Sequence, residues 1–255
     1  MLKIVGVIPA RLASTRFPRK VLKEIGGKSL LQMTYENALE SRVLERVVVA
    51  AEDAEIVDHV RSFGGEAFLT GKHPTGTDRV AEIVGDYLDD AEIVVNVQAD
   101  EPCLSPKVID TLVGALHEDP TAVLTTPITK ILDPSQIYQS SSVKCVFDEN
   151  MRALYFSRAP IPFPQKKEIE ADYYRHIGVY CFRTTFLLEY ASMQKTRLQQ
   201  IEDLEQLKIL EHGYPIHVCI VEDQMCGVDT PEDLEKVQEY LCQNTSLSPE
   251  ALSPL

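Results

Sequence analysis

Three observations predict an α/β fold with a mostly parallel central sheet and helices on both faces. Short β-branched runs alternate with stretches of helical periodicity. The first half of the chain repeats that alternation as βαβαβα, an order that favours parallel pairing. At 255 residues and 44% hydrophobic, the chain can bury the core of one large α/β domain.

Taken in chain order, residues 4–8 are an apolar first strand, followed by a basic loop and a helix over 29–41. A strand over 46–50 leads to a helix over 54–63, which Gly64 and Gly65 stop. A helix over 77–88 precedes the apolar strand 93–98. Ser105 and Pro106 suit the N-cap and first position of a helix over 106–117. Strands follow over 123–127, 143–147, 153–156 and 178–182, and a helix over 185–193. One helix is expected over 201–212, with Gly213 as its C-terminal cap. A strand over 216–221 and a helix over 231–241 complete the pattern, the latter opening on Thr230 with Asp233 in the capping-box position. The segment 140–182 is rich in strands and prolines and is expected to form a small mixed or antiparallel subdomain on the main sheet. Residues 1–242 therefore read as a single domain. The Ser/Pro-rich tail 243–255 lacks periodicity and is expected to be disordered.

Composition narrows the function. A formal net charge of −14 argues against nucleic acid as the main partner, since phosphate backbones require a broad basic surface. The six cysteines contain no Cys-x-x-Cys pair, so they read as buried, reduced thiols rather than a zinc or redox site. No secretory leader pattern is visible and no apolar run approaches the length of a membrane span. A cytoplasmic protein is expected.

Against that acidic background, residues 11–28 carry Arg11, Arg16, Arg19, Lys20, Lys23 and Lys28 and a lone acid, Glu24. Such a loop at the end of a buried strand suits an anion such as a polyphosphate, or is simply a solvated basic turn. It is not a Walker A loop, because Gly-x-x-x-x-Gly-Lys-Ser/Thr is absent. Asp100 follows the strand 93–98 at the sheet edge where ligands bind, and a carboxylate there can hold Mg²⁺ or simply cap the helix at Pro106. Asp229 precedes the last helix, where it either favours the helix dipole or serves as a second Mg²⁺ ligand. The loop from His73 to Arg79 could meet a nucleobase edge, or Thr77 could be only an N-cap. Arg158 and His176 suit an acidic, hydroxylated substrate, although a histidine here could equally be a core residue. Glu202 and Glu205, three apart on one expected helix, could receive sugar hydroxyls or face solvent.

Six segments in register carry a resemblance. They are Ile8-Pro9-Ala10-Arg11-Leu12-Ala13-Ser14-Thr15-Arg16-Phe17-Pro18, Gly76-Thr77-Asp78-Arg79, Asn96-Val97-Gln98-Ala99-Asp100-Glu101-Pro102, Tyr155-Phe156-Ser157-Arg158-Ala159-Pro160-Ile161-Pro162, Arg175-His176-Ile177-Gly178-Val179-Tyr180 and Gly227-Val228-Asp229-Thr230-Pro231-Glu232-Asp233-Leu234. Together they resemble the 3-deoxy-manno-octulosonate (KDO) cytidylyltransferase family over nearly the whole chain. The resemblance implies a Rossmann-like nucleotidyltransferase fold, the strand-rich part serving sugar binding and dimerisation, and a cytoplasmic homodimer. It implies that CTP and KDO give CMP-KDO and pyrophosphate for lipopolysaccharide, with Mg²⁺ as cofactor. Ala10, Arg11, Ser14, Arg16, Lys20, His73, Gly76 and Arg79 match nucleotide-binding positions. Asp100 and Asp229 match the metal ligands and, with Arg11 and Lys20, the catalytic set. Gln98, Arg158, His176, Tyr180 and Glu202 match sugar-site positions. Two residues depart from the family pattern: Arg19 and Ala99 each stand where glycine is usual.

Overall fold

The computed structural model of the chain describes residues 3–14, 17–166, 168–222 and 227–244. Its organising element is a ten-stranded sheet. The first strand, β1 (Ile4–Ala10), lies between β4 (Arg46–Ala51) and β6 (Ile93–Asn96), parallel to both, and β5 (Ala67–Leu69) extends the β4 side. Between β1 and β4 lie a short hairpin, β2 (Glu24–Ile25) with β3 (Lys28–Ser29), and the helix α1 (Leu30–Leu39). The helices α2 (Ala54–Ser62) and α3 (Gly76–Tyr87) flank β5, and α4 (Pro106–Glu118) leads from β6 to β7 (Leu124–Lys130).

Beyond β6 the sheet continues through strands drawn from the second half. In sequence these are β8 (Lys144–Phe147), β9 (Ala153–Ser157), β10 (Tyr174–His176), β11 (Tyr180–Arg183) and β12 (Ile216–Ile220). The spatial order is β5-β4-β1-β6-β11-β7-β10-β8-β9, with β12 parallel to β7. Strands β1, β4, β5, β6, β7, β8 and β12 run one way, and β9, β10 and β11 oppose them. The strand-rich segment anticipated in the sequence thus extends the main sheet with antiparallel pairing. The remaining helices are α5 (Thr184–Ser192), α6 (Arg197–Glu202), α7 (Glu205–Glu211) and α8 (Pro231–Asn244).

Alternation along the strands accounts for the three-layer build. On β4, Val47, Val49 and Ala51 join one apolar cluster with Leu31 of α1, Ile56 of α2 and Leu112 of α4. Val48 and Ala50 join the opposite cluster with Ile83 of α3, Phe186 of α5 and Leu207 of α7. A strand covered on both faces is apolar wherever it is buried, as β4 is from Val47 to Ala51. Successive strands from β1 step outward to β4 and β5, and the chain then returns to place β6 on the other side of β1. That reversal opens a crevice at the carboxyl ends of β1 and β6, where ligands of doubly wound sheets bind. A third apolar cluster, Ile25, Leu30, Val228, Val237 and Leu241, packs α8 against the hairpin and α1.

Local signals were mostly realised. Ser29 caps α1 by accepting the Gln32 N–H at 3.0 Å. Gly64 and Gly213 both have positive φ, at 82° and 83°. Asp233 accepts the Thr230 N–H at 3.1 Å and returns its own to Thr230 Oγ1 at 3.3 Å, which completes the capping box. Ser105 sits at the α4 N-cap without a side-chain capping bond. β5 and β10, three residues each, are too short to show periodicity. The expected tail begins inside α8, which reaches Asn244, and residues 245–255 lie outside those described.

The single helix expected over 201–212 is two helices. Asp203 takes a left-handed conformation, φ 53° and ψ 52°, ending α6, and Leu204 is extended before α7 starts. Acidic and amide side chains tolerate that region better than most, but the strain remains about 1 kcal/mol. Asp203→Gly should therefore be at least as stable as the parent in urea denaturation, and Asp203→Ala should lose about 1 kcal/mol.

Candidate active site

The crevice is organised around one ammonium group. Lys20 opens a short 3-10 turn directly after the basic loop. Its Nζ donates to Asp100 Oδ2, to Asp229 Oδ1 at 2.9 Å and to the Val228 carbonyl at 3.1 Å. Asp100 arrives from the loop after β6, and Asp229 from the strap before α8. The strap is fixed because the Val228 N–H donates to the Asp100 carbonyl at 2.9 Å. Gly227 lets the strap lie close to Glu101, since a Cβ there would stand 2.8 Å from Glu101 Oε1 and displace that carboxylate. Lys20 is largely buried, its side chain 14% exposed. Burial disfavours its charged form, but the attraction of Asp100 and the hydrogen bonds to Asp100 and Asp229 outweigh this and raise its pKa. Two carboxylates predicted as metal ligands thus converge on one point, with a predicted phosphate-binding lysine between them.

Two adjoining cavities share the wall formed by Gln98, Asp203, Leu204 and Glu205. The smaller, about 410 Å³, is lined by Arg11, Gly76, Arg79 and Lys195 among others. Arg79 is buried beneath it, donating to Thr70 Oγ1 at 3.0 Å and to Glu52. Gly76 permits close approach of α3 to β1, since a Cβ there would meet Pro9 Cγ at 3.3 Å. Ala10 ends β1 in the core, and Ser14 lies partly exposed in the loop. Arg16 lies outside the described residues. His73 does not face this cavity. Its Nε2 pairs with Glu82, and it lines a third hollow, between α3 and α5, that meets this cavity at Pro74, Thr75, Lys195 and Gln199.

The larger cavity, about 700 Å³, is lined by Gln98, Asp100, Arg175, His176, Tyr180, Glu205, Gln206 and Asp229 among others. Gln206 Nε2 lies 3.4 Å from His176 Nδ1, and Tyr180 donates to Gln206 Oε1 at 3.2 Å. Thr126 Oγ1 lies 2.9 Å from His176 Nε2 and donates to the Val179 carbonyl at 2.7 Å. This network is satisfied by a neutral His176 with its proton on Nε2, a tautomer assigned from the partners. Desolvation beside Phe156 and Tyr180, with Arg175 adding repulsion, pushes the His176 pKa down to about 3. Burial, opposed by the hydrogen bond from Thr77, pushes the Glu205 carboxyl up. Thr77 donates to Glu205 Oε2 at 2.7 Å.

Two expected sugar-site residues are placed elsewhere. Arg158 is absent from the lining of the larger cavity. Its guanidinium donates to the carbonyls of Glu202, Ser140 and Asp203 at 2.7, 3.0 and 3.1 Å. Glu202 turns toward the same strand, accepting from Ser157 Oγ at 2.7 Å and from the Arg158 N–H at 2.9 Å. The break at Asp203 is the reason: it separates Glu202 from Glu205 and directs the first turn of α7 into the cavity. Glu205 and Gln206, and not Glu202, therefore line the cavity. Arg175, adjacent to His176 on β10, is the arginine of the cavity lining. Glu205 was a candidate from its spacing to Glu202, whereas Gln206 and Arg175 were signalled in sequence only by adjacency to residues already singled out.

Both departures from the glycine pattern have a backbone reading. Arg19 is left-handed, φ 58° and ψ 24°, a conformation that glycine adopts most easily. Ala99 is not among the described non-glycine residues with positive φ, so its Cβ brings no backbone strain.

Residues 5–222 match the Cytidylyltransferase family. A 3-deoxy-manno-octulosonate cytidylyltransferase of Chlamydia abortus is 51% identical over 96% of this chain and 96% of its own length. One from Protochlamydia amoebophila is 50% identical over 96% of this chain and 97% of its own. The fold superposes on a CMP:2-keto-3-deoxy-manno-octonic acid synthetase complexed with CTP with a TM-score of 0.90, at 38% identity, over 95% of this chain and 100% of that one.

Between pH 6.5 and about 3, the unfolded chain binds a proton at His176 that the folded chain does not, so this group lowers stability as pH falls. His176→Gln should flatten that part of the profile. Urea midpoints at pH 7 and pH 4.5 should differ less for the variant than for the parent; equal differences would reject a neutral, desolvated His176.

Proposed function

The chain belongs to the 3-deoxy-manno-octulosonate cytidylyltransferase family, and from that membership we propose that it transfers CMP from CTP to KDO, releasing pyrophosphate. The observation that carries the reading is the convergence of Asp100, Asp229 and Lys20, the two acids lining the larger of two adjoining cavities. The smaller cavity, with Arg11 and Arg79 in its lining, takes the nucleotide. The larger, rich in polar side chains, takes the sugar acid. The anomeric hydroxyl of KDO attacks the α-phosphorus, its proton is released, and the bond to the β-phosphate oxygen breaks with departure of pyrophosphate.

Magnesium fits this donor set. Among the described residues no three His, Cys, Asp or Glu side chains gather into a metal-binding group. Mg²⁺ is commonly held by one or two carboxylates together with substrate phosphates and water, which Asp100 and Asp229 can supply with CTP. When bound, the ion would supply Lewis-acid stabilisation of charge at the α-phosphate. Lys20 and Arg11 neutralise the phosphates that leave. Gln98, Tyr180 and Gln206 orient sugar hydroxyls, and neutral His176 can accept or donate one hydrogen bond without adding charge. Arg175 suits the sugar carboxylate, while Arg158 holds the loop behind the cavity wall.

We also propose a homodimer working in the cytoplasm, where nucleoside triphosphate is available. Among the described residues no helix is long and apolar enough to cross a membrane. Leu154 is exposed on β9, the last strand of the sheet path. Leu132, Tyr138 and Phe163 are exposed in the connections between β7 and β10. Such apolar exposure at a sheet edge favours a second copy. Light scattering should give twice the chain mass, with Leu154→Asp shifting the protein toward monomer; a monomeric parent would reject this assembly.

Pyrophosphate release from CTP, assayed with KDO and a panel of other 2-keto sugar acids, tests the activity. KDO should be preferred, and Asp100→Asn should lose about 100-fold or more in kcat while remaining folded. Release with no sugar acid in the panel would overturn the reading, and near-parental kcat for Asp100→Asn at saturating Mg²⁺ would overturn the metal assignment.

A further inference from the structure

Arg11 and Lys20, the two cations given to the triphosphate, each adjoin a residue fastened to the start of α2. Next to Arg11, the Leu12 N–H donates to Asp53 Oδ2 at 3.0 Å. Next to Lys20, Arg19 sends Nη1 to Glu55 Oε2 at 3.0 Å and Nη2 to Glu55 Oε1. The two fastened residues are also joined to each other, the Arg19 N–H donating to the Leu12 carbonyl at 3.1 Å. The basic loop is therefore closed at its neck, and the neck is held by two carboxylates of one helix end.

Two features show that this arrangement is built rather than incidental. Asp53 occupies the N-cap of α2, where an aspartate normally accepts a backbone N–H of the first turn. Its side chain makes no such bond and holds Leu12 instead. Arg19 keeps a left-handed backbone at which a side chain is unfavourable, and its guanidinium forms a bidentate fork, the geometry in which a surface ion pair is most effective. One turn further along α2, His59 Nε2 lies 2.7 Å from Ser29 Oγ, fixing the segment where it enters α1.

We propose that Asp53 and Glu55 are positioning residues that preset Arg11 and Lys20 through their neighbours Leu12 and Arg19, with Arg19 as the latch to the helix. Resting on the cytidylyl-transfer reading above, this assigns to Arg19 a role in holding Lys20 and Arg11 at the crevice before CTP arrives. A prepositioned loop has less conformational freedom to lose on binding, so the latch acts on CTP affinity and not on the sugar acid.

Calorimetric titration of CTP into the intact protein with Mg²⁺ separates the latch from simple charge. Glu55→Gln removes a negative charge near an anion site, so long-range electrostatics alone would tighten CTP. The latch predicts the reverse: Kd for CTP weaker by about fivefold, with KM for the sugar acid within about twofold of the parent. Arg19→Gly, which suits the left-handed backbone, should weaken CTP similarly. The exchange Arg19→Glu with Glu55→Arg should recover most of the affinity that either change alone loses, with an unchanged melting temperature. Tighter or unchanged CTP binding by Glu55→Gln, or no recovery in the exchange, would overturn the latch while leaving the function intact. A parent protein that binds no CTP would overturn the function and the latch together.

Discussion

The contact of Lys20 with Asp100, Asp229 and the Val228 carbonyl is the constraint on which the site depends. It joins three segments that are far apart in sequence: the loop after β1, the loop after β6 and the strap before α8. Two carboxylates brought to one point repel, and a cation between them removes that repulsion. Opposite unit charges 4 Å apart near a protein surface attract by about 4 kcal/mol before desolvation is counted. Solvent reaches Asp229, 41% exposed, more than Asp100 at 25%, so the Asp100 arm is the stronger. The same geometry that lets one ammonium satisfy both acids lets a small divalent ion do so beside substrate phosphates.

The sheet determines where that contact forms. β1 and β6 are adjacent and parallel, so their carboxyl ends open on the same edge. The reversal of strand order beside β1 opens the crevice there. The antiparallel strands β10 and β11 then carry His176 and Tyr180 to the other wall, and Gln206 ties the two together. Arg11 and Arg79 of the smaller cavity thus come from the first half of the chain, His176, Tyr180 and Gln206 of the larger from the second, and Gln98 lines both.

Much of this was legible in the sequence because its signals are local. The apolar runs of β1, β4 and β6, the Thr230–Asp233 capping box and the basic loop each depend on neighbouring residues. The acids Asp100 and Asp229 were recognisable because each sits where a strand end or helix start gives an acid a function. Glu202 shows the limit. Helical spacing placed it on the same surface as Glu205, yet Asp203 in a left-handed conformation sends the two carboxylates to different partners. Arg158 shows the same limit: its charge suited a substrate carboxylate, but its guanidinium donates to three backbone carbonyls.

The sequence by itself determined the alternation of strands and helices, the parallel first half, the concentration of positive charge after β1 and the family to which these residues belong. The first three follow from periodicity, capping chemistry and charge, all short-range properties of a chain, and the family from the likeness of six motif segments. Only the tertiary structure decided which acids share Lys20, which glutamate faces the cavity and where Arg19 is tied. Those outcomes depend on distances between segments separated by dozens to hundreds of residues, set by sheet register and by the competition of buried polar groups for partners.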